Sequence, residues 1–496
     1  MNNNSAKVVI IAHTPEPEKL CASAAGISTT KGTALEIYNK KQEREKAQKL
    51  IKNVLKLGHT TTIEHACFTI AFENVSAFVE QFMIEFRLAS FTVKSRRYVD
   101  FSQMGYYQPK FRFKTEVSKK DNQYFVNLYN THIKRIFSEY EYLIQNGVPR
   151  EDARFLLPYC YRSNFYCTVN ARELQHIIYV ALYGRGSKYP EIKAIGASLL
   201  EQAKKIAPGI FGVILEEGRD DKEERLRELL REDIFQAKSL TKRELRQEQK
   251  REENSGAFCE LLSYTDNPEK VVASTVLIKH TLCSSEMVQR ILEGNSAFQE
   301  KLLKIACEDQ RKRELEQICF TFRINNLTLA GLTHLARHRL QSLNVPSFTE
   351  FGFSKGYVLP DSIRQKPNLL SRYVEMWEAH KKIFCEFAEA GVVKEDLVYL
   401  YLSGNLVDVV TTMNGRELFH FLRLRTCRRA QWEIRAIAVE MLVELRKISS
   451  ALFKRFGPSC YVLGKCPEGK LSCGHKEEVV KRFTKGEELD VEKGKE

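Results

Sequence analysis

Apolar positions recur along this chain with two different periods, and the switches between them mark out its elements. Val8-Val9-Ile10-Ile11 is a short apolar run closed by Ala12-His13-Thr14-Pro15-Glu16-Pro17, the pattern of a β-strand, a proline turn and a helix start. A second strand pattern, Glu64-His65-Ala66-Cys67-Phe68-Thr69-Ile70, is followed by a helical segment. From Phe125 to Ile144, and again from Leu369 to Ala390, apolar residues fall at intervals of three and four, which predicts long helices. No uninterrupted apolar run approaches the roughly 18 residues of a membrane span, and Met1 to Ser5 is polar, without the charged and apolar regions of a signal peptide.

The pattern then repeats. Leu261-Leu262-Ser263-Tyr264-Thr265-Asp266-Asn267-Pro268 echoes the first strand and turn, Glu316-Gln317-Ile318-Cys319-Phe320-Thr321-Phe322 echoes the second strand, and Asn414-Gly415-Arg416-Glu417-Leu418-Phe419-His420 echoes Asn170-Ala171-Arg172-Glu173-Leu174-Gln175-His176. The offsets are 251 (17 to 268), 252 (64 to 316) and 244 (170 to 414), so order and spacing are kept with small insertions. A period of that length is far beyond a solenoid unit and marks duplication of a whole domain. The expected organisation is a first repeat over 6–215, a charged helical linker over 216–257 with helix-spaced charges such as Arg225-Leu226-Arg227-Glu228, a second repeat over 258–480, and a charged tail over 481–496. Each repeat is expected to be α+β, with a few strands and long helices whose middle segments form a core between subunits.

Composition narrows the chemistry. At 496 residues and 43% hydrophobic the chain has material for at least two cores. The net charge of +14 favours anionic partners, which could be nucleotides, cofactor phosphates, nucleic acid or a membrane surface. Thirteen cysteines, mostly single and in apolar surroundings such as Ala66-Cys67-Phe68, predict buried thiols in a reducing cytoplasm. Cys460, Cys466, Cys473 and His475 are too loosely spaced to read as a zinc site, so no metal is expected. The Ser and His residues form no hydrolase set.

The strongest candidate chemistry lies in Leu332 to Ser347. There, His334 and Arg337-His338-Arg339 precede the small polar residues Ser342, Asn344 and Ser347, which suits either an anion site or a basic surface turn. A second cluster follows Asn414, where Arg416 and His420 share one helix face and Arg425 lies three turns on from Asn414. The loop Gly58-His59-Thr60-Thr61-Thr62-Ile63-Glu64-His65 offers imidazoles, hydroxyls and a carboxylate, compatible with a ligand loop, a metal pair or a capped turn. The first repeat carries Glu85-Phe86-Arg87 where the second has Arg337-His338-Arg339, and Ala181 in place of Arg425. Conversely, the first repeat continues to Ser95, Arg96 and Arg97, whereas the second continues to Ser347, Phe348 and Thr349. Each repeat keeps what the other has lost.

These residues resemble the flavin-dependent thymidylate synthases, ThyX-like proteins, in a tandem of two divergent copies. The resemblance rests on Arg337-His338-Arg339 with its spaced Ser, Asn and Ser, on His59 to His65, on Asn414-Gly415-Arg416 and on Ala430-Gln431-Trp432-Glu433-Ile434-Arg435. It implies reductive methylation of dUMP to dTMP, with methylenetetrahydrofolate as carbon donor and FAD, reduced by NADPH, as hydride carrier. By the family pattern FAD would meet His59, Thr61, Glu64, Arg337, His338, Arg339, Asn344, Asn414, Arg416 and His420. The nucleotide would meet Ser95, Arg97, Arg154, His334, Arg337 and Arg425, with Arg425 stabilising charge on the reacting pyrimidine. Family members resemble homotetramers with shared sites, so the expectation is one competent composite site per chain, in a homodimer that mimics four subunits. The hallmark Glu is Val93 in one repeat and Val345 in the other. That departure keeps open an inactive FAD- or nucleotide-binding relative, with a basic nucleic-acid-binding protein as a more distant reading and nucleic acid not expected as the primary partner.

Overall fold

The computed structural model describes residues 6–40, 44–115, 119–212, 256–350 and 355–485. Of the charged segment expected over 216–257, all but the last two positions lie outside these residues, as does the tail beyond 485. The chain groups into two compact units, Met1–Gln247 with Val374–Leu402, and Glu248–Tyr373 with Ser403–Glu496. Sequence repeats and compact units therefore differ by one segment, which comes from the second repeat and belongs to the first unit.

In the first unit, β1 (Lys7–His13), β2 (Cys67–Ser76), β3 (Ala89–Val93) and β4 (Arg162–Asn170) form an antiparallel sheet in the order β1-β2-β4-β3. Helix α1 (Pro17–Gly26) follows the proline turn, α2 (Ala77–Ile84) leaves β2 directly, α3 (Lys119–Gln145) is the long predicted helix, and α4 (Ala171–Leu182) and α5 (Pro190–Ile206) follow β4. Alternate residues of β2, Phe68, Ile70 and Phe72, are buried and pair in register with Val169, Cys167 and Phe165 of β4, all buried too. One face of the sheet thus carries the core, as a two-residue side-chain period requires.

The second unit repeats the plan. Here β5 (Phe258–Tyr264), β6 (Cys319–Thr328), β7 (Ser342–Asn344) and β8 (Leu406–Asn414) run in the order β5-β6-β8-β7, with Phe320, Phe322 and Ile324 buried on the core face. Helix α6 (Pro268–His280) follows β5, α7 (Leu329–Leu335) follows β6, and α9 (Gly415–Arg425) and α10 (Trp432–Ile448) follow β8; between them in sequence comes the second long helix, α8 (Pro367–Glu389), which from Val374 onward belongs to the first unit. Both central strands break register at a bulge where an asparagine takes positive φ, Asn74 at 53° and Asn326 at 55°. Each bulge is held by a side chain at matching positions, the Asn74 amide donating to Asn164 Oδ1 at 2.9 Å and the Asn326 amide to Asp408 Oδ1 at 3.1 Å.

A buried carboxylate then fixes the helix that leaves each bulged strand. In the second unit Glu433 accepts the Thr328 amide at 2.7 Å and the Thr328 hydroxyl at 2.5 Å, while Thr328 Oγ1 caps α7 by accepting the Gly331 amide at 2.8 Å. A Cβ on Gly331 would lie 2.7 Å from Glu433 Oε2, so glycine is what lets the carboxylate approach. In the first unit Glu191 accepts the Ser76 amide at 2.9 Å and hydroxyl at 2.6 Å, and Ser76 caps α2 through the Val79 amide. Burial raises the Glu191 carboxyl above its usual range, against the pull of the Ser76 bonds.

Within the first unit α3 packs with the portion of α8 from Val374 onward. His132 and His380, 248 positions apart and so at matching points of the duplicated helices, stack with ring centroids 5.0 Å apart. His132 Nε2 and His380 Nδ1 are 2.7 Å apart, and His380 Nε2 lies 2.6 Å from the Leu400 carbonyl. Since Leu400 O can only accept, His380 donates from Nε2 and its Nδ1 accepts from His132 Nε2–H, so the His380 ring is neutral. Phe111 and Phe125 each pack against Phe387 with centroids 5.0 Å apart, and Arg112 reaches Asp396, 1% exposed, through a backbone bond of 2.7 Å and a guanidinium bond of 2.7 Å.

Two outcomes follow from this core. Replacing Glu433 by Ala leaves the buried Thr328 amide and hydroxyl without their shared acceptor, and should lower unfolding free energy by about 2–4 kcal/mol in urea titrations. Burial, the leading cause for each ring, lowers His132 to about 4 and His380 to about 3, with Arg135 adding to the first and His132 to the second. The unfolded chain therefore takes up protons first, so the pair's contribution is fully present above about pH 6.5 and is lost as pH falls towards 4 and then 3. Urea midpoints measured between pH 7.5 and 4.5 should fall more steeply for the native chain than for the double variant His132→Leu, His380→Leu.

Candidate active site

The second unit delivers its basic turn at the end of α7. Arg337 and Arg339 are exposed, and His338 between them is buried. The turn is tied down by Gln341, whose Nε2 donates to the Leu335 carbonyl at 2.5 Å while its Oε1 accepts the Thr411 hydroxyl of β8 at 2.7 Å. His338 points into the unit. Its Nδ1 lies 3.1 Å from Glu417 Oε1, its Nε2 accepts from Arg425 Nε at 2.9 Å, and its ring meets Phe421 and His420 edge-on at 4.9 and 5.8 Å. Arg425 Nη2 also donates to the His334 carbonyl at 3.3 Å. Burial lowers the His338 pKa, opposed by the Glu417 carboxylate and reinforced by Arg425 and His420.

Helix α9 supplies the rest of this cluster. Asn414 caps it by accepting the Glu417 amide at 2.9 Å, Arg416 pairs with Glu316, and His420 is exposed. Asn344 is exposed on β7. His334, His338, His420 and Arg425 are thus brought together, while Arg416 is turned towards Glu316.

The first unit gathers the other candidates. Arg96 is buried against Glu80 at 3.0 Å and over the Tyr161 ring at 5.6 Å, which holds its neighbours Ser95 and Arg97 in place. The Arg97 amide donates to Ser95 Oγ at 3.3 Å, its Nε donates to Glu151, and Arg154 Nε donates to the Glu151 carbonyl at 3.0 Å. Ser95, Arg97 and Arg154 therefore share one corner of the unit, with Glu151 as the anion that Arg97 holds. In the same unit His59, just before the turn Thr60–His65, and Thr61 within it are exposed, and Glu64 accepts from Arg172 at 2.6 Å. The pairs Arg172–Glu64 and Arg416–Glu316 occupy matching positions, so this contact is a feature of both units.

Where the first unit has lost its Arg-His pair, it has filled the space. Glu85 bonds Arg185 at 2.8 Å and Gln81 at 3.2 Å, Arg185 lies over the Phe82 ring at 4.6 Å, and Phe86 packs edge-on against Phe82 and His176. A carboxylate neutralised by its own arginine over two aromatic rings is a self-satisfied structural cluster.

Sequence reasoning missed Glu417, Glu433, Glu151 and Gln341. The first is visible in the repeated Asn-x-Arg-Glu and the second in Ala-Gln-Trp-Glu, each quoted as a motif without a role for its Glu. Elsewhere, Cys427, Cys460, Cys466 and Cys473 line one cavity, yet no group of three or more His, Cys, Asp or Glu among the described residues is placed to hold a metal. No helix among those residues is long and apolar enough to cross a membrane.

The family model described as thymidylate synthase complementing protein matches this chain twice, at residues 9–209 and 260–449. A flavin-dependent thymidylate synthase of Clostridium tetani is 34% identical over 246 residues, covering 46% of this chain and 97% of that protein. Another, of Geobacter sulfurreducens, is 32% identical over 230 residues and is covered to 96% by 45% of this chain. A solved UMP/dUMP methylase, PolB from Streptomyces cacaoi bound with 5-Br dUMP, is 22% identical over 42% of this chain and 93% of its own, with a TM-score of 0.36, which adds nothing to the assignment. With one family match in each repeat, and relatives covered almost end to end by half its length, the chain belongs to the flavin-dependent thymidylate synthase family and holds two copies in tandem.

Proposed function

We propose that this chain is an FAD-dependent thymidylate synthase that methylates dUMP to dTMP at one composite site per chain. Methylenetetrahydrofolate is the carbon donor and NADPH the reductant. The observation that carries this reading is the division of groups between the units. The second keeps the exposed Arg337 and Arg339 beside the Arg425 cluster, the first keeps Ser95 with Arg97 and Arg154, and the first unit's counterpart of the Arg-His pair is closed by Glu85 and Arg185.

The residues suit their ligands chemically. Arg337 and Arg339 are exposed on either side of the buried His338, a donor set that fits the diphosphate of FAD, with Asn344, Asn414, Arg416, His420 and the His59, Thr61 and Glu64 turn completing the pocket. FAD, when bound, supplies the hydride. Ser95 and Arg97 bind the nucleotide phosphate, which displaces the Glu151 carboxylate from Arg97; Arg154, the other nucleotide candidate of that corner, is 2% exposed. His334 borders the pyrimidine, and Arg425 stabilises the negative charge that develops on it. Two chains then pair as a homodimer, each contributing one such site.

Titration should give about one FAD per chain, and the chain should release tritium from 5-labelled dUMP and complement a thymidine-requiring strain. Arg425→Ala should cut tritium release on the order of 100-fold or more, as loss of a charge-stabilising donor does. Two FAD per chain would overturn the composite site, and FAD binding without tritium release would favour an inactive flavin-binding relative.

A further inference from the structure

In the second unit the residue between the two outward arginines of the turn is turned away from them. His338 is 4% exposed, and both ring nitrogens are engaged by protein groups, Nδ1 by Glu417 and Nε2 by Arg425. A guanidinium has only N–H groups, so Arg425 can only donate and His338 Nε2 can only accept. The proton of a neutral ring then sits on Nδ1, where the Glu417 carboxylate receives it. Of the groups facing the ring, Arg425 and His420 disfavour an imidazolium and Glu417 favours one, and burial weighs with the first two. Glu417 is 3% exposed and is itself aimed by the Asn414 cap at the start of α9.

We propose that Glu417 and His338 act as a positioning relay for Arg425, in which a neutral, Nδ1-protonated His338 accepts from Arg425 Nε and so sets the plane of the guanidinium. Together with the bond from Nη2 to the His334 carbonyl, this contact holds two edges of one rigid fork. A protonated His338 could not accept, and would place two cations in contact. Both states of the relay are found in one chain. In the first unit Asn170 still caps its helix through Glu173, but Phe86 stands where His338 would be and Ala181 where Arg425 would be. His and Arg have been lost together, while Arg172 and Glu64, which take no part in the relay, remain. That pattern is expected if the imidazole is there for the arginine, since a buried ring nitrogen deprived of its donor is costly to keep.

This inference rests on the synthase reading, and its test separates the two. In the full-length chain with 15N-labelled histidine, the His338 signal, assigned by its absence from His338→Gln, should report a neutral ring protonated at Nδ1 at pH 6 to 7, whether or not the protein turns over dUMP. An imidazolium, or a proton on Nε2, would overturn the relay. Kinetically, His338→Phe keeps an aromatic ring of the kind the first unit tolerates at Phe86, yet removes the acceptor. It should lower kcat for tritium release on the order of 10- to 100-fold with KM for dUMP shifted less than about threefold, the split expected when a group is misaligned for the reacting state rather than for binding. His338→Gln, which offers one acceptor and one donor, should recover most of the loss. Native-like kcat in His338→Phe, or no recovery in a folded His338→Gln, counts against the relay. Absence of tritium release from the unmutated chain counts against the synthase reading alone, and the nitrogen spectrum then still decides the relay.

Discussion

A buried carboxylate at the head of a helix is the constraint on which the rest of each unit depends. Glu433 reaches from the start of α10 to take both the amide and the hydroxyl of Thr328, at the joint between the bulged strand β6 and α7. A charge in that position is stabilised by the donors it accepts and by the helix end it faces. It also fixes a direction, because α7 is only two turns long and everything beyond it inherits its axis. Arg337, His338 and Arg339 follow at once, so their division into outward guanidiniums and an inward imidazole is set by a residue nearly a hundred positions later in the chain. The same device in the first unit, Glu191 on Ser76, aims α2 towards Glu85 and Phe86. Duplication preserved the frame and released what the frame presents.

The two helix ends show how a site is given up without leaving a hole. A buried arginine or histidine cannot simply be deleted, because its partners keep their desolvation cost. In the first unit the apolar Phe86 takes the imidazole's volume, and Glu85 enters with Arg185 already beside it, so that each charge arrives with its counter-charge. The corner that stayed polar did so for a reason of the same kind. Arg96 is buried against Glu80, Glu80 accepts from Ser163, and this internal pair locks the backbone from which Ser95 and Arg97 project. In the second unit Phe348 replaces Arg96 and Thr349 replaces Arg97, so that an apolar side chain is buried where the first unit buries an ion pair.

Much of the fold was legible in the sequence because duplication printed it twice. Strands at Val8 and Leu261 and long helices through Phe125 and Leu369 stand where their patterns put them. Periodicity reports which face of an element is buried, and says nothing of which neighbour covers it. Thus the segment Val374–Leu402 grouped with the first unit, a long-range choice invisible to local pattern. At the site, the residue types were legible and their directions were not. Arg337, His338 and Arg339 read as three equivalent groups in a row, whereas a turn leaving a helix places neighbours on opposite sides. Glu417 and Glu151 stayed hidden because a carboxylate beside an arginine reads as a surface pair until burial is known.

Direction also explains why the two units diverged at different ends of the same turn. Residues near α7 and α2 answer to the interior through positions 338 and 86, so a change there must be matched on the following helix, at 425 and 181. Residues further along in the first unit, at 95 to 97, answer instead to Glu80 within α2 and to Glu151 and Tyr161 in the segment before β4, partners different from those of Glu85 and Phe86. Each end can therefore be lost or kept as a block without disturbing the other. In the composite site proposed above, the Arg-His block kept in one unit and the Ser-Arg block kept in the other would each be needed by the whole chain, so that neither copy could lose its remaining block alone.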